Sequence, residues 1–181
     1  SIIEDPFFRL NEHNVQWIDK KDWRYRTILK IDKNTFESQN IVLDFKGLDT
    51  YANVFLNDSC ILRSDNMFRS YAIDVKNYIQ LGENKLEIIF DSPIKRGLER
   101  RKKIGYEIPI SGNDLAEIGQ VPGNKRVSVF NRKAGYHFGW DWGPRLVTSG
   151  IWKPIILKSW NDFKIDEVYI QQELQETKAI I

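Results

Sequence analysis

From Trp23 to Phe90, apolar and polar positions alternate with a period of two, the pattern of strands buried on one face. In the first run Trp23, Tyr25, Thr27, Leu29 and Ile31 fall on one side, and Arg24, Arg26, Lys30 and Asp32 mostly on the other. Polar residues around Asn34 predict a turn, Ile41 to Phe45 a second strand, and Gly47 a bend after it. Within GLDTYANVFLND, Ala52, Val54 and Leu56 share one face, and Asn57-Asp58 predicts a hairpin turn into Ser59 to Leu62. Ser70 to Val75 alternates through Tyr71, Ile73 and Val75. Gly82-Glu83-Asn84 then predicts a turn leading into a strand over Leu86 to Phe90.

The alternation stops at Ser92-Pro93 for about thirty residues. Ile94 to Lys103 reads as a short charged helix, and Pro109, Gly112, Gly119, Pro122 and Gly123 make the remainder a loop. A loop of that length inside a compact domain is usually functional or mobile. Arg126 to Phe130 predicts a strand, and Ile151 to Trp160 a closing strand that Pro154 assigns to a sheet edge. Ile2 to Asp22, with Pro6, Phe7-Phe8 and Trp17, reads as an irregular segment laid across a core. Asn161-Asp162 marks a domain boundary, and Lys164 to Gln171 is expected to start a new strand. About eight short strands with little helix argue an all-β, antiparallel sandwich. Residues 1–162 are expected to form it, and 163–181 to begin the next domain.

Composition narrows the function classes. A chain of 181 residues fills one domain with little left over. Its net charge of +2 gives no electrostatic case for nucleic acid or an anionic membrane, and the basic run Lys95 to Lys103 reads as a solvated face. No apolar run approaches the roughly 20 residues of a membrane helix. Cys60 is the only cysteine, which precludes an intrachain disulfide and leaves the compartment undetermined. Two well-separated histidines and one cysteine show no metal-ligand spacing, and no cofactor is expected. The N-terminal SIIEDPFF has no basic region followed by an apolar core, so no signal peptide is visible; both ends read as those of a processed or excised fragment.

The chemistry concentrates between Phe130 and Trp160, which hold four of the six tryptophans. Asp141 sits between Trp140 and Trp142 and is followed at once by Gly143-Pro144-Arg145. An indole offers a flat apolar face to the C–H side of a pyranose, and a carboxylate accepts hydrogen bonds from two neighbouring hydroxyls. Pro144 pushes Gly143 out of the helical region, so Trp140 to Arg145 reads as a shaped loop. On a strand, both indoles would instead point to one face as core, with Asp141 opposite. The residue pattern alone leaves the two readings open.

The run YHFGWDWGPRLVTSGIWKP resembles the signature of the β-mannosidase branch of glycoside hydrolase family 2, within that family's N-terminal sugar-binding-type domain. EDPFF near the N-terminus and DVKNYIQLGENKLEIIF in the middle resemble the same family, the latter being shared by its jelly-roll domains generally. The resemblance implies a jelly-roll-like, galactose-binding-domain-like β-sandwich followed by the first strand of an immunoglobulin-like domain. It also implies a mannose-containing oligosaccharide as ligand and an intramolecular contact with a (β/α)8 catalytic domain absent from this chain. A secreted, periplasmic or lysosomal location is what the family leads one to expect.

A retaining glycosidase needs two carboxyl groups about 5–5.5 Å apart. In this family both stand on a barrel of about 250 residues, for which this chain has no room, so the fragment alone is expected to be inactive. Asn11-Glu12 is similar to the family's Asn-Glu acid/base pair but lies outside any barrel strand, and Glu12 is read as non-catalytic. By resemblance, Asp141 would accept hydrogen bonds from mannose hydroxyls and Trp140 would form an apolar wall beside it. Trp142 reads first as packing and His137 as a structural histidine, with sugar contacts as the alternative for both; Arg145 would fix Asp141 or the loop backbone. Three competing readings remain: a free-standing carbohydrate-binding module, a domain of another family 2 glycosidase, or a scaffold with every Trp in its core.

Overall fold

The computed structural model describes residues 3–110, 126–175 and 178–180. In chain order its strands are β1 (Trp23–Ile31), β2 (Asn40–Asp49), β3 (Tyr51–Leu56), β4 (Ser59–Asp65), β5 (Tyr71–Asp74), β6 (Gly82–Asp91) and β7 (Gly150–Trp160). They form two antiparallel sheets, a four-stranded one ordered β1-β6-β3-β4 and a three-stranded one ordered β5-β2-β7. Ile41, Leu43 and Phe45 of β2 share one core with Ala52, Val54 and Leu56 of β3 and Leu86, Ile88 and Phe90 of β6. This is the expected sandwich. Its apolar alternation is the cause, since burying one face of each strand leaves the polar positions in water.

Several boundaries differ from the sequence pattern, each for a local reason. The polar stretch after β1 folds as a short helix, α2 (Lys33–Glu37), because the Asp32 carboxylate accepts the Thr35 N–H at 2.7 Å and caps it. α1 (Asn11–Asn14) is a single turn in the N-terminal segment. β2 continues through Gly47 with a register shift between Gly47 and Leu48 instead of ending in a bend. Gly47 is needed there because the Trp152 indole lies on the backbone; a Cβ would meet its Nε1 at 2.5 Å. β6 starts at Gly82 and so includes the predicted turn, whose backbone is held by the buried Asn84 amide through the Gln80 N–H and carbonyl. Asn57 and Asp58 both adopt positive φ, 47° and 67°, as a tight hairpin requires.

β1 is the outermost strand of its sheet and the facing sheet has one strand fewer. Tyr25 therefore packs edge-on against Phe90 yet stays 42% exposed, and Thr27 is exposed too. β7 is an edge strand, as Pro154 implied. Lys164 to Gln171 joins no ladder among the described residues, and Ile165, Val168 and Tyr169 are exposed. The described residues offer its backbone no strand neighbour, and it takes no strand conformation here. The last described residues form a two-stranded ribbon, β8 (Glu173–Gln175) with β9 (Lys178–Ile180). Gly112, Gly119, Pro122 and Gly123 of the predicted long loop lie outside the described residues.

A second, smaller core lies beside the sandwich. The predicted charged helix is α3 (Pro93–Ile104), capped by the Ser92 hydroxyl and ended by Gly105 at φ 76°. Its buried Ile94 packs with Val127, Phe130, Phe138 and Val147. Ser128–Phe130 is a 3₁₀ turn and not the expected strand, since no edge receives it; Val127 and Phe130 are used as apolar pegs instead. Helix and turn meet at Gly97, where a Cβ would stand 2.7 Å from Val127 Cβ and 2.8 Å from Asn131 Nδ2. Gly97→Ala should therefore lower stability to urea unfolding by about 1–3 kcal/mol through overpacking, although alanine favours a helix by about 1 kcal/mol. A variant as stable as the parent would show that this contact is not tight.

Candidate functional site

The Trp-Asp-Trp segment rises from the second core and not from a sheet. Gly135–Phe138 forms a 3₁₀ turn that plants Phe138 in the core, and Val147 plants the returning chain in the same place. Between these pegs the two stems are tied together: Leu146 N–H donates to the His137 carbonyl at 3.0 Å, and His137 Nδ1 lies 3.2 Å from the Leu146 carbonyl. Gly139, at φ 118°, supplies a backbone turn that a side chain would strain.

At the tip, Trp140 is 42% and Trp142 82% exposed, with ring centroids 5.6 Å apart and planes at 80°. Neither indole is a core residue. Trp142, read first as packing, has its edge contact with Trp140 and otherwise faces solvent. The Asp141 carboxylate is exposed and makes no hydrogen bond or ion pair among the described residues. An open apolar concavity of about 790 Å³ lies alongside, lined by Trp140, Trp142, Tyr136, Pro144 and, from the N-terminal segment, Pro6 and Phe7.

His137 is half-buried, stacked on Tyr136 at 4.7 Å, with Thr148 Oγ1 3.3 Å from its Nδ1. Burial, with the Lys133 ammonium next in effect, pushes its imidazole below the ordinary histidine range, while Asp49 and the Leu146 carbonyl pull the other way. A neutral ring with the proton on Nδ1 satisfies the Leu146 carbonyl. It bonds the loop, as one of the two sequence readings had it.

Arg145 is 2% exposed and lies beneath the tip. Its Nη1 donates to Asp19 Oδ2 at 2.6 Å and to Gln16 Oε1 at 2.8 Å, while Gln16 Nε2 donates to the Arg145 carbonyl at 2.7 Å. The guanidinium thus fixes the loop backbone to the N-terminal segment through Asp19. The structure brings Trp140, Asp141, Trp142 and His137 to one exposed region and sets Arg145 under it.

Two ion-paired residues were missed in the sequence. Lys133 has a fully buried side chain that donates to the Asp49 carboxylate and, at 2.7 Å, to the Thr148 carbonyl. Burial lowers the affinity of its ammonium for a proton, and Asp49 opposes that effect. A lysine in a polar run and an aspartate closing a strand carry no spacing signal; the pair is made only by folding. Glu12, in α1, lies beside His13, whose Nε2 is 3.7 Å away. Among the described residues no group of three or more His, Cys, Asp or Glu side chains is placed to hold a metal ion.

The chain is similar to several known proteins in sequence and fold. The family model described as "Glycosyl hydrolase 2 galactose-binding domain-like" matches residues 1–153. β-Mannosidase B of Emericella nidulans is 39% identical over 176 residues, 96% of this chain and 19% of that protein. β-Mannosidase of Mus musculus is 33% identical over 166 residues, 91% of this chain and 18% of that protein. The chain thus spans about a fifth of the length of these relatives. The crystal structure of β-D-mannosidase from Dictyoglomus thermophilum superposes with a TM-score of 0.83 at 40% identity, covering 98% of this chain and 20% of that one. An exo-chitosanase from Amycolatopsis orientalis, 19% identical with a TM-score of 0.63 over 96% of this chain and 16% of its own, shares the fold.

The lowered His137 affinity for protons has a stability consequence. As pH falls through 6.5, the unfolded chain takes up a proton that the folded state resists, so stability declines until the pH passes the lower folded-state value. Urea midpoints measured at pH 7.5 and 5.5 should differ more for the parent than for His137→Phe. Equal differences would show that His137 does not carry this linkage.

Proposed function

The chain belongs to the glycosyl hydrolase 2 galactose-binding domain-like family, and on that premise we propose that it is the non-catalytic N-terminal domain of a retaining exo-β-mannosidase. In this reading its Trp140-Asp141-Trp142 tip completes a substrate pocket owned mostly by another domain of the same protein. The substrate is a non-reducing, β-linked mannose residue of an oligosaccharide. Catalytic carboxylates would come from elsewhere in the longer protein, and this domain would contribute binding and orientation.

One observation supports the proposal above the others: an exposed carboxylate that lies in sequence between two exposed indoles, with no partner among the described residues, on a loop tied at both stems. A side chain kept for stability would be expected to bond its own fold. The free lone pairs of Asp141 can accept hydrogen bonds from two adjacent sugar hydroxyls. Trp140 and Trp142 present apolar faces suited to the ring C–H side, and the concavity of about 790 Å³ beside them has room for sugar. Arg145 acts below the tip and His137 in its stem, so neither is required to touch the substrate.

The high similarity to proteins named β-mannosidase supports mannose over other sugars. Part of each hydroxyl–carboxylate bond can be directed at the distorted ring of the transition state, which favours kcat as well as binding.

Replacing Asp141 with Ala in the protein that carries this domain should lower kcat/KM for p-nitrophenyl β-mannoside by about ten- to a hundred-fold, the size of one charge-assisted bond. The thermal midpoint should stay within experimental error, since the exposed carboxylate bonds none of the described residues. Unimpaired hydrolysis by Asp141→Ala would reduce the loop to a support and end the proposal.

A further inference from the structure

We propose that Lys133 is a positioning residue that sets where Asp141 stands, by fastening both stems of the Trp-Asp-Trp loop to the end of β2. The inference rests on the pocket reading above and extends it to a residue outside the loop tip.

The geometry is that of a buried three-way junction. Lys133 opens the ascending stem, Thr148 closes the descending one, and Asp49 is the last residue of β2. A single ammonium donates to the Asp49 carboxylate and to the Thr148 carbonyl, so three segments distant in sequence meet at one atom. The Lys133 side chain is 0% exposed and that of Asp49 5% exposed. The Thr50 hydroxyl donates to the other Asp49 oxygen, which fixes the acceptor in turn. Asp141 lies midway along the segment that this junction closes.

Stability alone does not account for a lysine here. A buried ion pair is often matched or bettered by apolar side chains of similar volume. What an apolar side chain cannot do is donate to the Thr148 carbonyl while holding the end of β2, and so select one spacing of the stems. That spacing matters for a carboxylate meant to meet substrate hydroxyls, because a displacement of about 1 Å at a positioned group costs on the order of a hundred-fold in rate. The His137–Leu146 bonds tie the stems to each other but not to the sandwich; the Lys133 junction does both.

The test is a mutant cycle in the full protein that carries this domain, read on p-nitrophenyl β-mannoside. Lys133→Met combined with Asp49→Asn removes both charges together, so that neither is stranded. This pair change should lower kcat/KM about ten-fold in the parent, and by less than about two-fold in an Asp141→Ala background, because the two act through the same contact. A purely structural role would lower kcat/KM by the same factor in both backgrounds, and that result overturns the proposal, as does a pair variant with parental activity. Full activity of Asp141→Ala would end the pocket reading and this proposal with it. A damaged Asp141→Ala with equal pair effects in both backgrounds ends this proposal alone. Should the pair variant fail to fold, Lys133→Leu with Asp49→Asn, which likewise removes both charges and the donor toward the Thr148 carbonyl, goes through the same cycle with the same two outcomes.

Discussion

A loop that joins no sheet has no ladder to anchor it to the rest of the fold, and in this protein two buried cations make that connection. Lys133 meets Asp49 and the Thr148 carbonyl; Arg145 meets Asp19 and Gln16. Each reaches from the aromatic segment to a part of the chain far away in sequence. Isolated in an apolar interior, either charge would be strongly unfavourable, so the two acids have to be where they are. The tip of the loop can then be exposed while its stems are fixed.

The sandwich and the second core divide the work. Eleven buried apolar residues of the strands and Val75, just after β5, form the larger cluster among the described residues, a platform whose polar faces are left to solvent. The smaller cluster is assembled from α3 and from irregular segments, with Phe138 and Val147 as the pegs of the Trp-Asp-Trp loop. The sandwich gives a stable edge from which to hang the loop. Function on such a fold resides in what its loops present. The Trp-Asp-Trp tip carries an exposed carboxylate, and both of its indoles line an open, largely apolar concavity.

Most strands were legible because period-two alternation is a direct record of which side is buried, as Ala52, Val54 and Leu56 demonstrate. So was the helix after Ser92-Pro93, whose cap and terminal glycine are local signals. Errors arose where long-range partners decide. Arg126 to Phe130 had strand-forming residues but, among the described residues, no edge to join, and became a turn; Lys164 to Gln171 had them and pairs with no strand there. One local signal was overlooked: Asp32, by accepting the Thr35 N–H three residues on, made a helical turn of a stretch that composition marked only as polar.

By itself the sequence determined the sandwich, the family likeness and the identity of the acid between two indoles, since each is written in contiguous residues. Only the tertiary structure decided that Trp142 faces solvent and that Arg145 turns inward to Asp19 instead of toward Asp141. It also decided that Lys133 and Asp49, unremarkable along the chain, close the junction beneath the loop. The reason is physical: alternation and capping depend on neighbours in the chain, whereas a buried charge depends on a partner that folding alone brings within reach.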